Sequence, residues 1–110
     1  MSEHRREATT QLVRFFYSAV DPSDVDRVRN LFLEDVLPAF DSHPGCLGIE
    51  LLINITNNAG GLVDGMAMSR WESRDAMEDA LASRGVQEAL VRVTQFLRQE
   101  PITRTFEVAA

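Results

Sequence analysis

Only one cysteine, Cys46, and two histidines, His4 and His43, occur among 110 residues. A single thiol excludes an intrachain disulfide, and two histidines leave no Cys/His cluster at metal-ligand spacing. No structural metal, redox centre or other cofactor is expected. Long hydrophobic runs are also missing. The apolar stretches, as at Leu47 to Ile55, are interrupted and fall well short of the roughly 20 residues of a membrane-spanning helix. The polar start, Met1 to Thr10, has no signal-peptide apolar region, so no membrane association and a cytoplasmic location are expected. Positive charge is in deficit: 17 acidic against 11 basic residues give a formal charge of -6. Such a field repels phosphate backbones and anionic surfaces, which argues against nucleic acid as a partner.

What remains is ordinary globular composition, 45% hydrophobic and 25% charged, in a chain long enough for one domain. Residues 1–10 are polar without apolar period and are expected to form a flexible arm before a single domain over 11–110. Gln11 to Val20 is rich in β-branched and aromatic residues and reads as a strand ended by Asp21-Pro22. A helix opens with Ser23 as its cap, and Val25, Val28, Leu31, Phe32, Val36 and Phe40 make one apolar stripe. Pro38 is expected to kink or close its last turn.

Cys46 to Thr56 alternates as a second strand, with Leu47, Ile49, Leu51, Ile53 and Ile55 on one face. The Asn57 to Gly61 cluster then turns the chain into an antiparallel third strand, Leu62 to Trp71. Ser73 caps a second helix, Ser83-Arg84-Gly85 interrupts it, and a further helical piece carries Val86, Ala89, Leu90, Val93, Phe96 and Leu97. Pro101 stops it, and Ile102 to Val108 alternates as a last strand.

The order β-α-β-β-α-β predicts an α+β, ferredoxin-like fold: one antiparallel four-stranded sheet with both helices on one face. The other face would expose Leu, Ile, Met and Phe over more area than monomers tolerate. A two-fold homodimer that pairs two such sheets is the expected solution.

The run Pro44-Gly45-Cys46-Leu47-Gly48-Ile49-Glu50-Leu51-Leu52, followed by Arg70-Trp71-Glu72-Ser73-Arg74-Asp75-Ala76-Met77, resembles the antibiotic-biosynthesis-monooxygenase family of the dimeric α+β-barrel superfamily. The resemblance spans about residues 11–108. It implies a cofactor-independent monooxygenase acting on a small aromatic or quinonoid metabolite, or a non-catalytic small-ligand-binding or accessory module of the same fold. The family also contains haem-degrading oxygenases. Their strand-one Asn, second Trp and axial His would fall near Tyr17, Ala80 and Leu90, and none matches, so haem degradation is disfavoured.

Cofactor-free oxygenation needs a pocket that binds an electron-rich ring, helps remove its proton and stabilises the anion while oxygen attacks. In the family that pocket lies between sheet and helices. Tyr17 and Trp71, given equal strand parity, are expected to line one cavity, Tyr17 donating to a carbonyl and Trp71 stacking on a ring; the alternative is two core aromatics with satisfied polar tips. Histidine is the side chain best suited to proton transfer near neutral pH, which makes His43 the candidate general base at the cavity mouth. Arg14 and Arg70 fall in largely buried strands and could hold a phenolate or carboxylate, or else pair with Glu50, Glu72 or Glu107. Asn54 could position a carbonyl, or bond solvent near its turn. Met66 and Met68 could form a soft wall for a flat, apolar or aromatic ligand, or pack in the core or dimer. Cys46, with no partner base, reads as an inert thiol.

Overall fold

A computed structural model of the protein describes residues 10–56 and 60–110. The expected arm, apart from Thr10, and the Asn57 to Ala59 part of the turn lie outside the described residues. The strands are β1 (Leu12–Val20), β2 (Cys46–Ile53), β3 (Val63–Trp71) and β4 (Ile102–Glu107). They form one antiparallel sheet in the order β2-β3-β1-β4. Both inner strands, β1 and β3, are the longest, at nine residues each. The fold is α+β and ferredoxin-like, with a split βαβ order and helices on one sheet face.

The first crossover departs from the single helix expected. The chain passes through a 3-10 turn (Pro22–Asp24), α1 (Val25–Leu31), a π-helical turn (Phe32–Val36) and α2 (Leu37–Asp41). Its cap is Asp21 rather than Ser23: Asp21 Oδ1 accepts from the Ser23 N–H at 2.9 Å and from its hydroxyl at 2.7 Å. Those donors hold the Asp21 carboxyl below the usual carboxylate range. Pro22 at the first helical position explains the shift, because its fixed φ suits a helix start and it has no N–H to leave unbonded. Pro38 does not end the helix. It has no N–H to donate and its ring crowds the carbonyl four residues back, and the wider turn just before it takes up the strain; the Leu37 N–H reaches back to Phe32 O. Phe32, Val36 and Phe40 remain buried.

The second crossover runs as α3 (Arg74–Ala82) and α4 (Arg84–Thr94). Ser73 Oγ accepts from the Ala76 N–H at 3.1 Å and Ser83 Oγ from the Val86 N–H at 3.4 Å, so each helix carries a serine cap. Phe96 and Leu97 lie past the end of α4, and Leu97 bridges to Val20 instead.

Register settles which face each strand residue takes. Opposed pairs point the same way, so Leu12, Arg14, Phe16 and Ser18 share the helix-covered face with Trp71, Ser69, Ala67 and Gly65. Val13, Phe15 and Tyr17 share the open face with Arg70, Met68 and Met66. Strand β2 contributes Ile49, Leu51 and Ile53 to the covered side. A bulge between Cys46 and Gly48 removes Leu47 from that set: Leu47 borders the open face with Val13 and Met68, while Cys46 packs against the core. Gly48 takes φ 149° there, a conformation that side chains rarely adopt. Strand β2 ends at Ile53, and Ile55, expected on the aliphatic face, is 90% exposed.

The core lies between sheet and helices and is built on Leu12, Phe32, Val36, Phe40, Ile49, Trp71, Met77, Ala80, Val86 and Ala89. Gly45 is demanded by close approach: a Cβ there would sit 2.3 Å from the Ala76 Cβ, where α3 packs on the loop before β2. No helix among the described residues is long and apolar enough to cross a membrane.

Candidate functional site

Two layers of hydrocarbon enclose a cavity of about 60 Å³ between the covered sheet face and the helices. Phe16, Ser18 and Val20 of β1, Leu51 and Ile53 of β2, and Gly65, Met66 and Ala67 of β3 form its floor, Met66 bordering it although its register places it on the open face. Val28, Phe32 and Val36 from the first crossover and Leu90, Val93 and Leu97 from the second close it. The lining contains no ionisable side chain. Its one hydroxyl, on Ser18, donates to Gln99 O at 2.7 Å, so its proton is already committed.

The residues expected to act together are divided by the sheet. Tyr17 and Trp71 do not line one cavity. Tyr17 opposes Met66 whereas Trp71 opposes Leu12, an odd separation that sends the two rings to opposite faces. Trp71 is fully buried, its indole N–H donates to Ser69 Oγ at 2.9 Å, and its ring lies 5.9 Å from that of Phe40. It is an anchor of the core with its polar tip satisfied.

Tyr17 is on the open face, where it hydrogen-bonds to Asp64. That bond, then desolvation and the nearby negative charge, raises the phenol above its ordinary value. Asn54 Nδ2 also reaches Asp64 Oδ2, at 3.5 Å, and Asn54 Oδ1 accepts from the Thr56 N–H and hydroxyl at 2.9 Å each. Tyr17, Asn54, Asp64 and Met66 therefore border one open depression of about 230 Å³. Asp64 was not anticipated. The signal was an acid interrupting the apolar alternation of β3, but its partners depend on a register that the sequence does not print.

Met68 and Arg70 border a second open-face depression of about 440 Å³ with Val13, Leu47 and Glu50. Arg70 donates to Gln11 Oε1 at 3.3 Å. Within the subunit neither Arg70 nor Arg14 pairs with Glu50, Glu72 or Glu107: the ion pairs among the described residues involve Arg27, Arg29, Arg74 and Arg92.

His43 precedes β2 at the end of the sheet where Cys46 opposes Trp71. The cavity floor begins at Ala67, four residues along β3, or about 13 Å away at strand rise. His43 Nε2 instead meets Ser83 Oγ at 3.2 Å. Ser83 Oγ also bonds Ala80 O at 2.6 Å, so the His43 contact helps pin the junction of α3 and α4. Arg14 is the one titratable residue of the expected set on the cavity side of the sheet. Burial lowers its pKa from the ordinary arginine value. Burial likewise raises the Cys46 thiol, an effect partly opposed by the Gly48 backbone. No group of three or more His, Cys, Asp or Glu side chains among the described residues is arranged to hold a metal ion.

The family model for antibiotic biosynthesis monooxygenases matches residues 11–92, three-quarters of the chain. The protein belongs to the antibiotic biosynthesis monooxygenase family. Solved structures agree at the level of fold. SnoaB, a cofactor-independent oxygenase from Streptomyces nogalater, solved as a point mutant, superposes with a TM-score of 0.73 at 16% identity, covering 91% of this chain and 94% of its own. A conserved protein from Methanosarcina mazei gives a TM-score of 0.75 at 13% identity, covering 93% and 96%. A Mycobacterium tuberculosis protein gives 0.67 at 17%, covering 87% and 92%. No curated protein matches the sequence. At these identities the antibiotic biosynthesis monooxygenase family members share an architecture, and chemistry has to be argued from residues.

Proposed function

We propose that this protein is a homodimeric, cofactor-independent oxygenase of a small aromatic or quinonoid molecule, bound in the cavity between helices and sheet. The observation that carries the reading is the lining of that cavity, hydrocarbon but for the committed Ser18 hydroxyl. An apolar, dry chamber concentrates a flat ring and dissolved oxygen together and keeps water from the reacting carbon. The electrons come from the substrate. A ring CH₂ activated by adjacent carbonyl or phenol groups, together with O₂, gives a ring C=O and H₂O, which balances without external reductant. The cavity is far smaller than the roughly 300–1,000 Å³ of occupied ligand sites. Binding therefore requires the wall to open, and the π-helical turn Phe32–Val36, which supplies Phe32 and Val36 to that wall, is a departure from regular α-helix.

Dimerisation rests on the open face. Leu47, Leu52, Ile102 and Phe106 are between 41% and 54% exposed there, around the edge-to-face pair Phe15–Phe106 at 5.6 Å. An apolar surface of this kind calls for a partner, and a second copy meets it with the same surface.

A second reading, a non-catalytic binding or accessory module, is favoured by the same lining, since no side chain in it can take a proton. Oxygen uptake with anthrones, hydroquinones and hydroxynaphthoquinones separates the two. The oxygenase reading expects uptake above the uncatalysed rate that Ala67→Phe, which fills the cavity floor, abolishes. Saturable binding of these compounds with no uptake would establish the module instead.

A further inference from the structure

Arg14 occupies an unusual position. It lies on β1 between Leu12 and Phe16, opposite the buried Ser69 on β3 and the exposed Thr105 on β4. It therefore shares the covered face with Phe16, Ala67 and Ser18 of the cavity floor, one side-chain repeat of about 6.8 Å from Phe16. Its guanidinium is about half-buried, yet it has no hydrogen-bond or ion-pair partner among the described residues. Glu107, the nearest acid by register, opposes Leu12 on the same face and is not within ion-pair distance. A partner subunit on the open face does not reach it, because the sheet stands between. An arginine withdrawn from water without compensation costs stability. Functional sites are where such costs are retained.

The surroundings grade from apolar to polar across this residue. Toward Phe16, its neighbour on the same face of β1, lies the hydrocarbon cavity, whose lining begins one repeat beyond Arg14. Toward β4, Thr103 and Thr105 are exposed on the covered side, beyond the helices. A guanidinium at this boundary suits an amphipathic ligand whose body enters the cavity and whose acidic end stays at the rim. Its planar fork matches the two oxygens of a carboxylate, and simple phenols are protonated at neutral pH.

We propose that Arg14 anchors a carboxylate group on the small apolar ligand of the helix-sheet cavity, and so sets specificity for aromatic acids over their neutral counterparts. The inference rests on the cavity being the ligand site. Calorimetric titration with naphthoate, naphthalenemethanol and naphthol tests it, using the wild type, Arg14→Met and Arg14→Lys. The wild type binds naphthoate at least about tenfold more tightly than either neutral probe. Arg14→Met abolishes that preference and leaves naphthalenemethanol binding within about twofold, whereas Arg14→Lys retains part of the preference. Equal affinities in the wild type, tighter binding of naphthol, or a preference that persists in Arg14→Met would each overturn the assignment while leaving the cavity reading intact. Failure of all three probes to bind the wild type would overturn the cavity reading and the assignment with it. Thermal denaturation adds a readout independent of ligand: an uncommitted guanidinium makes Arg14→Met melt at a higher temperature than wild type, and a lower melting temperature would show that Arg14 holds the fold.

Discussion

The two faces of the sheet are built from the same four strands and are physically unlike. The covered face is closed: Trp71 and Leu12 sit under helices with every buried polar side-chain atom of the described residues bonded. The open face mixes Phe15, Met66, Met68 and Phe106 with Tyr17, Asp64, Glu50 and Arg70, and its large apolar groups stand partly in solvent. The difference teaches where each kind of free energy is spent. Covered-face residues hold the subunit together, whereas open-face residues leave apolar area exposed in the single chain, the area that the proposed dimer would bury.

The largest test of that division is on the covered face. Trp71→Ala removes the largest fully buried side chain and orphans the Ser69 hydroxyl; a loss of about 3–5 kcal/mol is expected by chemical denaturation. If the loss were under about 1 kcal/mol, the covered face would not be the core. Next, Met68→Lys on the open face should leave the subunit folded by circular dichroism but shift sedimentation equilibrium from dimer to monomer, since a desolvated ammonium at a two-fold interface is duplicated. Unfolding in place of dissociation would erase the contrast between faces.

Smaller still, Gly48→Ala forces a side chain onto the positive-φ residue of the β2 bulge, with about 1–2 kcal/mol lost. No contact opposes the new Cβ, so a neutral result would mean that the bulge relaxes and Leu47 returns to the inner row. The finest test uses Tyr17, the only tyrosine in the chain. Its raised phenol means that the Asp64 bond stabilises the fold below the ordinary tyrosine pKa and is lost as pH rises through the elevated one. Ultraviolet titration should give a midpoint above 10 that falls in Asp64→Asn.

Much of the fold was legible in local patterns. Alternation located β2 and β4, residue type located β1, and the turn cluster before β3 located that strand. Ser73 announced its helix cap, Ser83 was legible only as part of an interruption, and the stripe through Phe32, Val36 and Phe40 named the buried side of the first crossover. Motifs around Gly45 and Trp71 pointed to the family, and the physical reasons for them are visible: Gly45 lies against Ala76 and Trp71 fills the core. The candidate site was far less legible. Parity along a strand is read from sequence, but parity between strands depends on register, and an error of one residue put Tyr17 and Trp71 in the same cavity. A bulge did the same to Leu47, because an inserted residue flips every assumption on one side of it.

The sequence by itself determined the elements, their order and the apolar stripes that must be buried, because these follow from periodicities of two and three to four residues along one chain. Tertiary structure alone decided which chemically capable side chains meet. It joined Tyr17 to Asp64, tied His43 to Ser83, sealed Trp71 in the core and set Arg14 on the covered face opposite Ser69. Those pairings span tens of residues and are fixed by strand register and helix packing, which only the folded chain supplies.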